Sequence, residues 1–178
     1  MKKQNTEFQK ALRKWTVVNC WSMGECDSIA MWKLDSKSDE GIAIQSTYRR
    51  LSDSFHNYGE DEVYIGIINY IDYKKSAAMS NENFLFPFIH KWNSYQYEQE
   101  LRALIIRFPI KENEPNYLKS NAFKNGLEVP VDLEKLVERV YISPNAGKWF
   151  EELLVSVMKK YNFGKPVTKS PLAGNPIF

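Results

Sequence analysis

The sequence contains little cysteine and little histidine, and both shortages exclude classes of protein. Its 178 residues include two cysteines, Cys20 and Cys26, which are too few for a disulfide framework. The two histidines, His56 and His90, are isolated in the sequence, and no combination of Cys and His completes a zinc-binding pattern. We therefore predict no metal site, and neither histidine has a sequence partner that would make it a catalytic base.

Long apolar segments and the usual nucleotide-binding loops are also missing. The longest apolar runs have the length of a strand, so none could cross a bilayer as a helix. The N-terminus lacks the apolar stretch of a signal peptide. No Walker loop, dinucleotide-binding glycine fingerprint or nucleophile elbow occurs. We expect a cytoplasmic protein that does not contact membranes and does not use those particular nucleotide-binding folds.

What the sequence does contain is the composition of a folded domain with balanced charge. Hydrophobic residues make up 43% of the chain and aromatic residues 14%, which favours a packed core over disorder. The 24 Lys and Arg residues face 22 Asp and Glu residues, and the net charge of +2 gives no argument for binding nucleic acid. With no repeat and no linker, a single domain over residues 1–178 is expected.

The pattern of apolar residues predicts an α+β fold. Helical spacing indicates an N-terminal helix at about 3–15, and Ser143 followed by Pro144 indicates that a C-terminal helix, docked on the core, occupies about 144–161. Strands are predicted at 16–21, 42–45, 63–73, 100–108, 127–131 and 137–142. Short helical segments are predicted after Asp27 or Ser28, after Thr47, around Pro87 and from Asp132. We expect a mixed, mostly antiparallel central sheet flanked by helices.

A group of charged residues at the start of the 100–108 strand is the most suggestive feature. Residues two apart in an extended chain point to the same side, so Glu98, Glu100 and Arg102 would line one face. Two close carboxylates raise each other's proton affinity and an arginine lowers it. Such a cluster could perform acid–base chemistry or stabilise a developing cation on a sugar. The alternative is a Glu100–Arg102 ion pair at a strand end, with Glu98 in solvent.

Three further positions could contribute to a binding site. Ser46 follows a short apolar strand, where its hydroxyl could line the floor of a pocket or could cap the next helix. Lys91, with Trp92 and Tyr95, could supply a cation and stacking surfaces, although aromatic connections also serve as packing. Trp32 fits either the core or a pocket wall, and Cys20, in a predicted strand, is expected to be a buried thiol.

Several strings along the chain together resemble a known family. They lie at 18–21, 30–34, 40–47, 70–73, 90–91, 98–102, 131–133, 149–150 and 169–170. The set resembles a bacterial and phage family described as a domain of unknown function, number twenty-nine seventy-one. Members usually carry a further N-terminal portion, so the resemblance implies a shortened relative. The chain also departs from the family at Ser22, Asp35 and Trp92, where histidine, tyrosine and arginine are common.

Two of these strings are also similar, in their order, to motifs of the mono-ADP-ribosyltransferases. Those enzymes have a Ser-Thr-Ser strand followed by a Glu-x-Glu motif on a later strand, in a split-sheet layout. The resemblance implies that Glu100 would stabilise an oxocarbenium-like transition state on NAD, that Glu98 would orient the acceptor, and that Ser46 would support them. It implies NAD as a substrate and no required cofactor. The remaining substrate-binding candidates are Trp32, Gln45, Lys91 and Arg102.

Two hypotheses about function follow. The first is an enzyme, an NAD-cleaving transferase or glycohydrolase, which requires Glu100 to line an open cleft and would be contradicted by a Glu100 neutralised by Arg102 beneath packed side chains. The alternative is a non-catalytic module that binds a small nucleotide or a protein partner, for instance a shortened defence or anti-defence protein of a phage or mobile element. This alternative predicts an exposed apolar patch, covered by a partner or by a second copy in a homodimer.

Overall fold

A computed structural model of the chain describes residues 2–25, 27–36, 38–74, 83–109 and 117–174. The described residues group into two compact units, one from 1–23 and 58–129 and the other from 24–57 and 130–178. Each unit is therefore assembled from two segments that are distant in the sequence. The single domain predicted over the whole chain stays a prediction.

The described residues contain five α-helices and eight strands. In chain order they are α1 (Lys2–Leu12), β1 (Thr16–Ser22), α2 (Ile29–Asp35), β2 (Ile42–Gln45), α3 (Tyr48–Ser54), β3 (Val63–Ile67), β4 (Asn69–Ile71), β5 (His90–Trp92), β6 (Glu100–Ile106), α4 (Leu133–Leu136), β7 (Arg139–Ile142), α5 (Lys148–Lys160) and β8 (Val167–Lys169). Short 3-10 helices occupy Phe86–Phe88, Asn93–Glu98, Tyr117–Lys119 and Pro171–Ala173.

The first unit is built around β6, the central strand of a three-stranded sheet. Antiparallel β1 and β3 pair with its two edges, and Leu104 in its middle is 1% exposed. Leu12 of α1 and the following Trp15 form a buried cluster against which Ile106 of β6 packs, and the Trp15 indole N–H donates to the Ser120 hydroxyl at 3.1 Å. Strands β4 and β5 form a separate parallel pair in this unit. The predicted N-terminal helix is confirmed, although it ends at Leu12.

The second unit contains a sheet of order β2-β7-β8, with β7 antiparallel to β2 and parallel to β8. Ile142 of β7 is 1% exposed and anchors its core. Thr47 caps α3 by accepting the Arg50 backbone N–H at 3.2 Å, and Asp132 caps α4 by accepting the Lys135 N–H at 3.1 Å. Both units mix helices with strands, and three of the five strand pairings are antiparallel. The α+β class and the mostly antiparallel pairing are confirmed.

Two of the predicted strands are wrong. Residues 63–73 form two strands in different sheets, because the buried Ile68 between them donates its N–H to the Glu100 carbonyl, whereas Asn69 donates to the Ile89 carbonyl. The chain thus changes its pairing partner within one apolar run. Residues 127–131 form no strand, and Pro130 within them cannot donate to a sheet ladder.

The start and the packing of the C-terminal helix also differ from the prediction. Helix α5 begins at Lys148 with Gly147 as N-cap, not at 144. Ser143 is 4% exposed and donates its N–H to the Gly41 carbonyl at 2.9 Å, which holds it at the end of β7 instead of at a helix start. Only part of the apolar surface of α5 is buried: Met158 is in the core, whereas Trp149 is 58% exposed.

Candidate functional site

Glu100 and Arg102 point to the same side of β6, as predicted, and they form a two-point ion pair. The Arg102 Nε donates to Glu100 Oε1 at 2.9 Å and Nη2 donates to Oε2 at 3.0 Å. The remaining Nη1 donates to the Phe88 carbonyl oxygen at 2.6 Å. Glu100 is 6% exposed. Both of its carboxylate oxygens are therefore occupied, and the pair is covered.

Lys91 joins the second carboxylate to this pair. Its Nζ donates to Glu98 Oε2 and lies 3.4 Å from Glu100 Oε2, and it sits 4.7 Å from the centroid of the Tyr95 ring. Glu98 does not belong to the strand, because Gln99 has φ 44 and separates the 3-10 helix Asn93–Glu98 from β6. The predicted extended face is wrong at Glu98, yet its side chain reaches the cluster through Lys91.

Two neighbouring strands contribute further contacts to this cluster. Cys20 of β1 is opposite Arg102 in the antiparallel register, and the nearby Glu100 carboxylate contributes to a raised pKa of its thiol. The Tyr70 hydroxyl of β4 accepts the Glu100 backbone N–H at 2.8 Å. Cys20 as a whole residue is exposed, so the prediction of a buried residue is wrong. Cys26 lies outside the described residues.

The protonation of the cluster follows from these contacts. Desolvation alone would raise the pKa of Glu100, but hydrogen bonds from Arg102 and Cys20 and the charges of Arg102 and Lys91 outweigh it and lower that pKa. Desolvation alone would lower the pKa of Lys91 and of Arg102. The hydrogen bonds and charges of the carboxylates outweigh it, so both pKa values are raised. Desolvation, with the hydrogen bond and charge of Glu100, raises the pKa of Cys20 to about 11. At neutral pH the cluster holds an ionised Glu100, two cations and a neutral thiol.

This arrangement connects structural elements and leaves no free carboxylate on Glu100. A carboxylate that stabilises a developing cation must be able to face the substrate. Here Arg102 and Lys91 already contact the carboxylate oxygens that would have to face a substrate. The contacts of the cluster join β6 to β1, β5 and the carbonyl of Phe88. The geometry matches the Glu100–Arg102 ion pair that was the alternative interpretation, except that the Glu98 side chain is 19% exposed and paired with Lys91.

The other predicted binding residues belong to the second unit. Ser46 donates to the Leu136 carbonyl at 2.6 Å and so ties the end of β2 to α4. It does not cap α3, because Thr47 does. Gln45 pairs with Arg139 in the register of β2 and β7. Trp32, the third predicted residue in this unit, lines a cavity.

The Trp32 cavity has a volume of about 490 Å³. The indole N–H of Trp32 donates to Asp27 Oδ1 at 2.7 Å, which fixes the plane of the ring. Across the cavity, Asn145 Nδ2 donates to Asp39 Oδ1 at 3.2 Å. The other lining residues are Ile29, Lys33, Ser36, Ser38, Ser143, Pro144 and Leu172. Pockets that hold small molecules commonly have volumes of roughly 300–1,000 Å³ and combine apolar walls with a few polar groups.

Local sequence explains how α2 presents Trp32 to this cavity. Ser28 begins the helix by accepting the Met31 N–H at 3.4 Å, and Ser36 ends it. The chain then returns past the helix at Gly41, where an added Cβ would lie 2.5 Å from Ser36 Oγ and 3.5 Å from Trp32 Cζ3. The close approach therefore requires glycine. Lys33 and Asn145 were not predicted as lining residues, and no local signal connects positions so far apart in the sequence.

Comparison with known proteins finds no relative of this chain. No family model matches the chain, and neither a curated protein nor a solved structure is significantly similar to it. Both resemblances inferred from motifs stay predictions. Within the described ranges, no three His, Cys, Asp or Glu side chains are grouped so that they could hold a metal ion. No helix in that part of the chain is long and apolar enough to cross a membrane.

Proposed function

We propose that the chain is a non-catalytic binding module that holds a small nucleotide in the Trp32 cavity. The observation that carries the proposal is the composition of the cavity wall, in which a fixed indole ring, a lysine and several hydroxyl and amide groups meet. Each of these groups matches one part of a nucleotide, namely the base, the phosphate and the ribose.

The chemistry of the wall favours this class of ligand. A base that stacks on an aromatic ring gains about 1–3 kcal/mol, whatever its identity. Lys33 supplies a flexible cation suited to a phosphate. Asp39 and Asn145 are already hydrogen-bonded to each other, and their remaining acceptor and donor can bind ribose hydroxyls. The apolar Ile29 and Leu172 can exclude water around the base.

The Glu100 cluster weighs against NAD cleavage, which otherwise remains a prediction. To act on a ribose, the carboxylate would have to give up its contacts with Arg102 and Lys91. Separating a buried ion pair costs about 3–5 kcal/mol, because the remaining charge is uncompensated. We therefore favour sequestration of the nucleotide over its conversion.

Calorimetric titration with NAD, ADP-ribose and AMP tests this proposal. We expect micromolar binding of at least one of them, about −8 kcal/mol. Trp32→Ala should weaken binding about tenfold or more because the stacking surface is lost. Trp92→Phe is the matched control, since Trp92 belongs to the other unit and does not line the cavity.

Two outcomes would contradict the proposal. If the wild-type chain binds none of the three nucleotides, the cavity is not a nucleotide site and protein partners become the leading interpretation. If the wild-type chain releases nicotinamide from NAD and Glu100→Gln abolishes the release, the chain is an enzyme. The thermal transition of Glu100→Gln should be recorded in parallel, so that loss of folding is separated from loss of activity.

A further inference from the structure

Four polar residues are buried among the described residues, and one of them has a side chain without a hydrogen-bond partner in that part of the chain. They are Ser54, Glu100, Ser143 and Ser170. The hydroxyls of Ser54 and Ser170 and the carboxylate of Glu100 all bond to other groups of the protein. The hydroxyl of Ser143, which is 4% exposed, bonds to none of the described residues. A buried polar group that is left unpaired costs free energy, so its presence requires an explanation.

The backbone of Ser143 is fully bonded, so its side chain alone is available. Its N–H donates to the Gly41 carbonyl at 2.9 Å, and its carbonyl accepts the Ala146 N–H at 3.1 Å. Every fully enclosed polar side-chain atom of the described residues has a hydrogen-bond partner, so the unpaired Ser143 oxygen must reach open space. Ser143 lines the Trp32 cavity, and its hydroxyl therefore opens into that cavity.

The position of Ser143 in the cavity wall indicates which part of a ligand it meets. Gly41, to which Ser143 is bonded, lies against the six-membered part of the Trp32 ring, since an added Cβ there would be 3.5 Å from Cζ3. Ser143 is therefore on the side of the cavity where a base would stack. Asn145 follows two residues later in the chain and donates its amide to Asp39 at 3.2 Å, at the part of the wall that suits a ribose.

We propose that the Ser143 hydroxyl binds the polar edge of the base in the Trp32 cavity and thereby selects ligands that carry a base, an inference that rests on the proposed nucleotide site. A hydroxyl can both donate and accept a hydrogen bond, so it matches the amino, keto or ring-nitrogen groups of any base. A stacked ring without a polar edge would leave the hydroxyl buried and unpaired. Such a ligand is rejected for the same reason that buried polar groups elsewhere need partners.

Calorimetric titration of the full chain with adenosine and with AMP, in the wild type and in Ser143→Ala, tests the inference. Both ligands carry the same base, so losing one neutral hydrogen bond to it should weaken the binding of both by the same factor, about three- to tenfold. Lys33→Met provides the contrast. It should weaken the binding of AMP much more than that of adenosine, because only AMP carries a phosphate that can pair with the lysine.

Thermal unfolding without ligand separates a binding role of Ser143 from a structural one. Ser143→Ala removes no hydrogen bond within the described residues, so the transition temperature should stay within about 1 °C of the wild type. Ser54→Ala is the matched control, because Ser54 is 1% exposed, lies outside the cavity and donates to the Leu51 carbonyl at 2.7 Å. Loss of that bond should lower the transition temperature by about 2–4 °C and leave nucleotide binding unchanged.

Several results would overturn the inference. If Ser143→Ala binds both ligands as tightly as the wild type, the hydroxyl does not touch the ligand, and the nucleotide site stands without it. If Ser143→Ala weakens only AMP, the hydroxyl meets the phosphate and not the base. If Ser143→Ala unfolds as early as Ser54→Ala, the hydroxyl is bonded within the protein. If the wild type binds neither ligand, the base is not recognised, and the titrations with NAD and ADP-ribose decide separately whether the nucleotide site fails too.

Discussion

At the scale of the residue, Glu100 is the position on which the polar contacts of the first unit converge. Its carboxylate accepts from Arg102 and Lys91 and raises the pKa of the nearby Cys20 thiol, and its backbone N–H donates to the Tyr70 hydroxyl. These partners come from different strands, so one side chain fixes several elements at once. Because the site is covered, the carboxylate cannot exchange a lost partner for water, and each contact depends on the others.

The first prediction concerns Cys20, whose thiol shares this site. Its pKa is raised from 9.0 to about 11 by desolvation and by Glu100. At neutral pH the reactive thiolate is therefore about 100-fold scarcer than for an ordinary cysteine, and alkylation should be slower by a similar factor. The measurement is the rate of iodoacetamide labelling as a function of pH, followed by mass spectrometry in a Cys26→Ser background.

The matched variant for this prediction is Glu100→Gln. Without the carboxylate, the charge that opposes ionisation of Cys20 is gone while Arg102 remains, so the thiol pKa should fall and labelling should accelerate. A wild-type protein that labels at neutral pH as fast as the same chain in urea would show that Cys20 does not contact Glu100 in solution.

At the scale of the element, short-range signals predicted which segments are regular but not always where they end. Ser143 and Pro144 have the residue types of a helix start, yet Ser143 is buried and bonded to the Gly41 carbonyl. Ser143 thus bonds to a residue beside the neighbouring strand, which is distant in sequence, and does not cap a helix. Similarly, Gln99 gives no local sign of the left-handed turn that ends the 3-10 helix before β6, since that conformation normally favours Gly or Asn.

The second prediction follows from the conformation of Gln99. Its φ of 44 and ψ of 56 cost a non-glycine residue about 1 kcal/mol or more. Gln99→Gly removes this strain but makes the unfolded chain more flexible, which offsets part of the gain. We expect the free energy of unfolding to increase by about 0.5 kcal/mol, measured by urea denaturation.

Gln96→Gly is the control for the turn, because Gln96 lies in the same 3-10 helix without a positive φ. This control should lower the free energy of unfolding by about 0.5–1 kcal/mol. If Gln99→Gly destabilises the protein as much as Gln96→Gly does, residue 99 is not left-handed in solution.

At the scale of the whole molecule, the pattern of apolar residues was sufficient to predict the fold class but not the assembly of the sites. The Trp32 cavity joins Lys33 to Asn145, and the Glu100 cluster joins Cys20 to Lys91. Such contacts depend on which strands pair, and local periodicity carries no information about pairing between distant segments. The acidic motif itself could be recognised from the sequence because its residues are adjacent, whereas its neutralisation by Lys91 could not.

The last prediction concerns stability in acid. Desolvation alone would raise the pKa of Glu100. Arg102 and its neighbours outweigh this effect and lower that pKa below 4.5. The Arg107 hydrogen bonds lower the pKa of Asp61 below 3.8. A group whose folded pKa is lowered stabilises the protein above its unfolded pKa, and this contribution is lost as the pH falls through the folded pKa. We therefore expect the free energy of unfolding to decline steeply below about pH 4.5.

Urea denaturation between pH 3 and 7 checks this decline, with variants that separate its sources. Glu100→Gln should lower the free energy of unfolding at pH 7 by about 3 kcal/mol, because it leaves Arg102 buried without its counter-charge. It should also flatten the acid decline, since the group that binds the proton is gone. Glu152→Gln, at an exposed ion pair, should change stability by less than about 0.5 kcal/mol and leave the pH dependence intact. An acid decline of equal slope in Glu100→Gln and wild type would mean that the Glu100 pKa is not lowered, and hence that the Arg102 pair is not closed in solution.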